Sequence, residues 1–171
     1  MDIQDLLLEG NAAYVANRDP AEATMGATPR LGLAVVACMD TRNAVEQVLG
    51  LKHGDAKIIR NAGNRVSDDA LRSLVVAVHL LGARKIAVMG HTKCGMTLIG
   101  QGDTTIEASV AEHTDAEIAD DFHGWLGGFE DSATHVKDGV ERVRNHPLMP
   151  ADVEVFGLLF DNETGRVTKV A

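Results

Sequence analysis

Two rhythms of apolar residues alternate along the chain. Residues 33–37, 56–60, 85–89 and 153–160 are short stretches dominated by valine, isoleucine, leucine and alanine, the pattern of strands buried on both faces of a parallel sheet. Between the second and third, Leu71, Leu74, Val75, Val78 and Leu81 repeat at helical spacing. Ser67 is a suitable N-cap for that helix, Asp68 and Asp69 suit its first turn, and Gly82 marks its end. A shorter helix is predicted over residues 43–49, with Asn43 as N-cap and Gly50 as stop, and another over residues 131–143, ending before His146-Pro147. Cys94-Gly95-Met96 opens a short helix towards Ile99. The rhythm weakens over residues 100–128, where Ile106, Val110, Ile118, Phe122 and Trp125 are scattered among polar residues and suggest short helices. Residues 161–165 read as a hairpin turn and residues 166–170 as an antiparallel edge strand. At the start, Ile3, Leu6, Leu7 and Leu8 form an amphipathic helical stripe over residues 1–10, followed by a polar segment with Asn17, Asp19 and Pro20.

Strands and helices in this order, joined by right-handed crossovers, predict an α/β fold: a mostly parallel sheet with helices on both faces and an antiparallel edge strand. Residues 31–171 are expected to form one domain. Residues 1–30 are expected to form a helical arm, packed either on that domain or on a second subunit. Ligands of such sheets bind beyond the carboxyl ends of the strands. Cys38, the loop 61–64, and His91 and Cys94 all fall at that edge.

Length and charge narrow the function. A chain of 171 residues buries a core without a disulfide or metal to staple it, so any bound metal is expected to be catalytic. The net charge of -9 and the lack of a Lys/Arg cluster argue against a nucleic-acid partner. No basic, apolar leader and no long apolar stretch is visible, which predicts a soluble, cytoplasmic protein with no membrane partner. Under that expectation the two cysteines read as metal ligands or as inert buried thiols, not as a disulfide.

Two thiolates and an imidazole suit Zn2+, and three protein ligands leave a fourth position open. Cys38 ends the first strand, while His91 and Cys94, three apart, face one point from a single turn. Asp40 lies within reach of the same ion and Arg42 is its natural bidentate partner. Asp40 then has two possible states: fourth ligand, closing the site, or held off by Arg42, where it orients a water. The backbone N–H of Gly95, near a helix start, is placed to help fix that carboxylate.

Cys38-Met39-Asp40-Thr41-Arg42, Arg60-Asn61-Ala62-Gly63-Asn64 and Gly90-His91-Thr92-Lys93-Cys94-Gly95-Met96 together resemble the signature of the β-class carbonic anhydrases. The resemblance is close over residues 33–99 and looser over the final strands. It implies zinc ligation by Cys38, His91 and Cys94, an Asp40–Arg42 dyad gating the fourth position, and reversible hydration of carbon dioxide to bicarbonate by metal-bound hydroxide. It also implies a homodimer, sometimes paired into a tetramer, with the N-terminal helix reaching across to the partner. Some bacterial members of that family use a regulatory bicarbonate site with a tryptophan three residues before the first zinc cysteine, and Val35 stands there in this chain. The aromatic, glutamine-containing pocket segment of plant-like members is also missing ahead of the first strand. That absence motivates an alternative substrate, carbonyl sulfide or carbon disulfide, hydrolysed at the same zinc site. A further alternative is a non-catalytic zinc module permanently closed by Asp40.

Gly63 and Gly95 are expected to line a substrate pocket. His53, His79, His113, His123, His135 and His146 read as ordinary surface or core residues, at most one of them moving protons. Trp125, Phe122 and Phe129 read as packing or as part of a subunit contact, and Gly100-Gln101-Gly102 lacks the spacing of a phosphate loop.

Overall fold

The computed structural model describes residues 2–171. Its strands are β1 (Leu33–Cys38), β2 (Ala56–Asn61), β3 (Lys85–His91), β4 (Glu154–Phe160) and β5 (Val167–Lys169), and its helices are α1 (Ile3–Asn17), α2 (Val45–Val48), α3 (Asp68–His79), α4 (Met96–Gly100), α5 (Thr105–His113), α6 (Phe122–Leu126) and α7 (Ser132–Arg144). The strands form one sheet in the order β2-β1-β3-β4-β5. The first four run parallel, and β5 turns back antiparallel to β4 through the hairpin at residues 161–166.

Period-two alternation sorts the strand residues into two layers. Ala34, Val36, Ile86, Val88 and Val155 face one way and pack against Leu71, Leu74, Ala77 and Val78 of α3 and Val136, Val140 and Val143 of α7. Val35, Ala37, Ala87, Met89 and Phe160 face the other way, where Val45 and the partly buried Val48 and Leu49 are the helical cover. Helices therefore lie against both faces, with the longer pair on the first.

Helix ends follow local chemistry where a side chain is free to cap. Ser67 caps α3 by accepting from the Ala70 amide, and Asp131 caps α7 by accepting from the Thr134 amide. Asn43, expected as a cap, does not serve as one: it is buried, α2 starts later, and Ala44 occupies the cap position without a side-chain hydrogen bond. The first helix also differs from expectation, running through Gly10 to Asn17 with no buried residue, and Leu7 and Leu8 are 66% and 69% exposed. Met1, where the sequence pattern begins that helix, lies outside the described residues. Among the described residues, no helix is long and apolar enough to cross a membrane.

Register delivers the site. Cys38 pairs with Asn61 across β1 and β2, and Ala37 pairs with Met89 across β1 and β3. Cys38 and His91 are thus carried just past the last β1–β3 pair, at the carboxyl edge beside the loop that follows β2.

Candidate metal centre

Cys38, His91 and Cys94 are all buried, and one ligand atom from each lies within 4.8 Å of the other two. The two sulfurs are 3.9 Å apart. The strands fix Cys38 and His91, whereas Cys94 arrives on the short turn into α4, which Lys93 enters with a positive φ of 55°. His91 is fully buried, and its Nε2 has no hydrogen-bond partner. Its Nδ1 is 2.9 Å from the Thr92 carbonyl oxygen and 3.0 Å from the side-chain nitrogen of Asn162.

A buried nitrogen with no hydrogen-bond partner beside two facing thiols fits a set of metal ligands. The two thiols lie within hydrogen-bond distance of each other, and either can be the donor. Hydrogen bonding from Cys94 holds Cys38 well below the ordinary thiol value, against burial and with help from His91 and the backbone amides of Asp40 and Gly63. The same contact, with burial, pushes Cys94 up. Three soft or borderline ligands, one already disposed to ionise, fit zinc.

Asp40 lies beside this set, its Oδ2 4.0 Å from His91 Nε2. Arg42 holds it firmly: Nε donates to Oδ1 at 2.9 Å, Nη2 donates to Oδ2 at 2.6 Å, and the Arg42 amide donates to Oδ1 at 2.9 Å. Arg42 is tied in turn to the Lys93 carbonyl oxygen at 2.9 Å. The side-chain bond from Arg42 is the largest reason the Asp40 carboxyl is depressed to about 2, so it is ionised and purely an acceptor at neutral pH. Arg60, noted in the sequence only as part of a motif, donates to the carbonyls of Cys38 and Asp40 at 3.1 and 2.7 Å and so braces the loop carrying both.

A pocket of about 200 Å³ opens here, lined by Cys38, Met39, Asp40, Ala62, Gly63, Cys94, Gly95 and Met96. Both glycines expected at the pocket line it, but they differ in kind. Gly63 has a φ of +73° and donates its amide to Cys38 Sγ at 3.4 Å, whereas Gly95 has an ordinary helical backbone with nothing near its missing side chain. Asn162 and His135 also touch the site or its supports and carried no sequence signal as members of it: Asn162 sits in the hairpin turn, where asparagine is common for local reasons, and His135 lies on a helix distant in sequence. Trp125 is 73% exposed with Phe122 stacked on it, so it is not core packing.

Comparison with known proteins gives a consistent picture. The chain matches the family model for carbonic anhydrase over residues 33–167. It is 31% identical to beta-carbonic anhydrase 1 of Mycobacterium tuberculosis, over 99% of both chains. It is 37% identical to the carbon disulfide hydrolase of an Acidianus strain, over 80% of this chain and 76% of that one. The crystal structure of carbonic anhydrase from Streptococcus mutans superposes with a TM-score of 0.85 and 36% identity, covering 100% of this chain and 99% of that one.

Proposed function

Because the chain belongs to the β-class carbonic anhydrase family, we propose that it catalyses the zinc-dependent, reversible hydration of carbon dioxide to bicarbonate. The observation that carries this reading is the buried, unpartnered Nε2 of His91 facing the Cys38 and Cys94 sulfurs. These three residues would hold the zinc. Zinc held there would supply a Lewis acid that lowers the pKa of a water towards neutrality.

The remaining roles belong to the chain itself. Arg42 donates to both oxygens of Asp40 and engages the carboxylate, whose Oδ2 stands 4.0 Å from His91 Nε2, which favours the open state over closure. Asp40, ionised and fixed, accepts a hydrogen bond from the attacking water and orients it towards the pocket. Carbon dioxide has no hydrogen to donate and no net dipole, so Met39, Ala62 and Met96 receive it by shape and exclude bulk water around it.

Metal content and turnover on one preparation, followed from neutral to alkaline pH, test the reading. Stoichiometric zinc with accelerated hydration is expected, and Asp40→Asn should keep the metal while losing about 100-fold or more in kcat/KM. Zinc without turnover at any pH would instead favour a closed, non-catalytic module. Carbonyl sulfide or carbon disulfide hydrolysis is a second reading, favoured by the 37% identical relative of that name, and comparing kcat/KM for each substrate with that for carbon dioxide separates the two. Residues 31–171 form the catalytic domain in this reading. Residues 1–30 form an arm whose exposed Ile3, Leu7 and Leu8 cover a partner in a homodimer or a tetramer, and the enzyme works in the cytoplasm.

A further inference from the structure

His135 lies on α7, outside every motif above, yet it contacts the backbone that contacts a metal ligand. Its Nε2 is 3.1 Å from the Gly63 carbonyl oxygen. A carbonyl only accepts, so Nε2 carries the hydrogen. The ring stacks on Phe129, with centroids 4.0 Å apart and planes inclined by 9°. Phe129 also walls in Gly63, where a Cβ would stand 3.0 Å from its Cε1. Burial lowers the pKa of His135, so a neutral ring packs there at pH 7 and brings no added charge near the ligands.

Gly63 is therefore gripped from two sides. Its carbonyl oxygen accepts from His135, and its amide donates to Cys38 Sγ at 3.4 Å. The grip matters because Gly63, at a φ of 73°, has no β-carbon to restrict its backbone, so contacts with its surroundings fix the orientation of its amide and carbonyl. We propose that His135 is a positioning residue for the metal centre: by holding the Gly63 carbonyl, one peptide group beyond the Gly63 amide, it restrains the residue's two backbone torsions and so helps keep the Gly63 N–H on the Cys38 sulfur, which orients that ligand and disperses its charge. Outer hydrogen bonds of this kind set how well first ligands hold a metal.

This inference rests on zinc binding at Cys38, His91 and Cys94, and the experiment separates the two ideas. Zinc affinity is measured by chelator competition on the full chain and on His135→Phe and His135→Gln, with the Gly63 amide proton followed by NMR in each zinc-loaded protein. His135→Phe keeps a ring for Phe129 to stack on but has no donor, and should weaken zinc about 10-fold or more and shift the Gly63 amide upfield. His135→Gln loses the ring but returns an N–H at the Nε2 position, and should restore most of the affinity and the amide shift. Equal weakening in both variants would mean that only packing matters, and unchanged affinity in His135→Phe would overturn the inference outright. If the phenylalanine variant does not fold, the unmodified protein decides: its Gly63 amide should exchange slowly with solvent, and free exchange refutes the bond to sulfur. An unmodified protein that takes up no zinc sinks the metal reading itself, and this inference with it.

Discussion

Replacing Gly63 by alanine should damage fold and metal site together, while the same change at Gly95 should spare the fold. At Gly63 the backbone φ of +73° puts any β-carbon in the left-handed region, which costs about 1–2 kcal/mol. The new methyl would also stand 3.0 Å from Met96 Cγ and 3.0 Å from Phe129 Cε1. Met96 is flexible and can retreat, but Phe129 is clamped against His135, so overpacking adds about 1–2 kcal/mol. A loss of about 3 kcal/mol follows, or a fall of roughly 6–12 °C in Tm for a chain of this size. At Gly95 the backbone is ordinary, φ -58° and ψ -25°, and nothing lies within 4 Å of the added carbon. Gly95→Ala should therefore unfold within about 1 kcal/mol of the parent. Urea denaturation of the metal-free proteins measures both, and zinc competition shows whether Gly63→Ala has also lost its bond to Cys38. Equal stability of the two variants would refute the assignment of strain to Gly63.

Three other outcomes are expected. The folded pKa of Asp40 is about 2, below its unfolded value, so its contribution to stability is present above about pH 4 and lost as pH falls towards 2; Arg42→Met should flatten that acid limb in urea titrations. The effect should stay below about 1 kcal/mol because the Arg42 side chain is 51% exposed, and an unchanged limb would refute the pairing. Leu74→Ala, in the layer between the sheet and α3, should cost about 2–5 kcal/mol in denaturant, whereas Leu80→Ala, 77% exposed, should fall within about 0.5 kcal/mol of the parent. Zinc at roughly 1,000 times its Kd should stabilise the protein by about 4 kcal/mol in thermal unfolding, reversibly with chelator, and no shift would argue against a metal site.

What the sequence made legible was whatever burial or capping writes into residue type. The runs at β1, β3 and β4 had to be apolar because both faces of the sheet are covered, and Ser67 could be read as a cap because a free hydroxyl at a helix start has one common use. Features with no such constraint stayed hidden. The extent of α1 past Gly10 could not be read because that helix buries nothing and so carries no core periodicity. Asn43 looked like a cap by residue type, but tertiary burial claimed it first. Cys38, Asp40, Arg42, His91 and Cys94 were legible as a group because their side chains act on one another. Arg60 and His135 were not legible in their supporting roles because they act on carbonyl oxygens, which every residue possesses.

The ligand set also separates what stabilises this fold from what it carries. His91 is fully buried at the end of a central strand, flanked by the Phe160 pairing and the Thr92 and Asn162 contacts, yet its Nε2 is left without a partner. An orphaned buried polar atom costs about 1–3 kcal/mol, and an apolar side chain there would avoid that cost. The two thiols beside it, within hydrogen-bond distance of each other, meet the same difficulty only in part. Sheet register holds His91 and Cys38 in place regardless, so the metal-free protein keeps a cluster its core would be more stable without. A cation held there would remove the mismatch by partnering Nε2 and both sulfurs at once, so the stabilisation expected from zinc and the chemistry proposed for it would arise from the same three atoms.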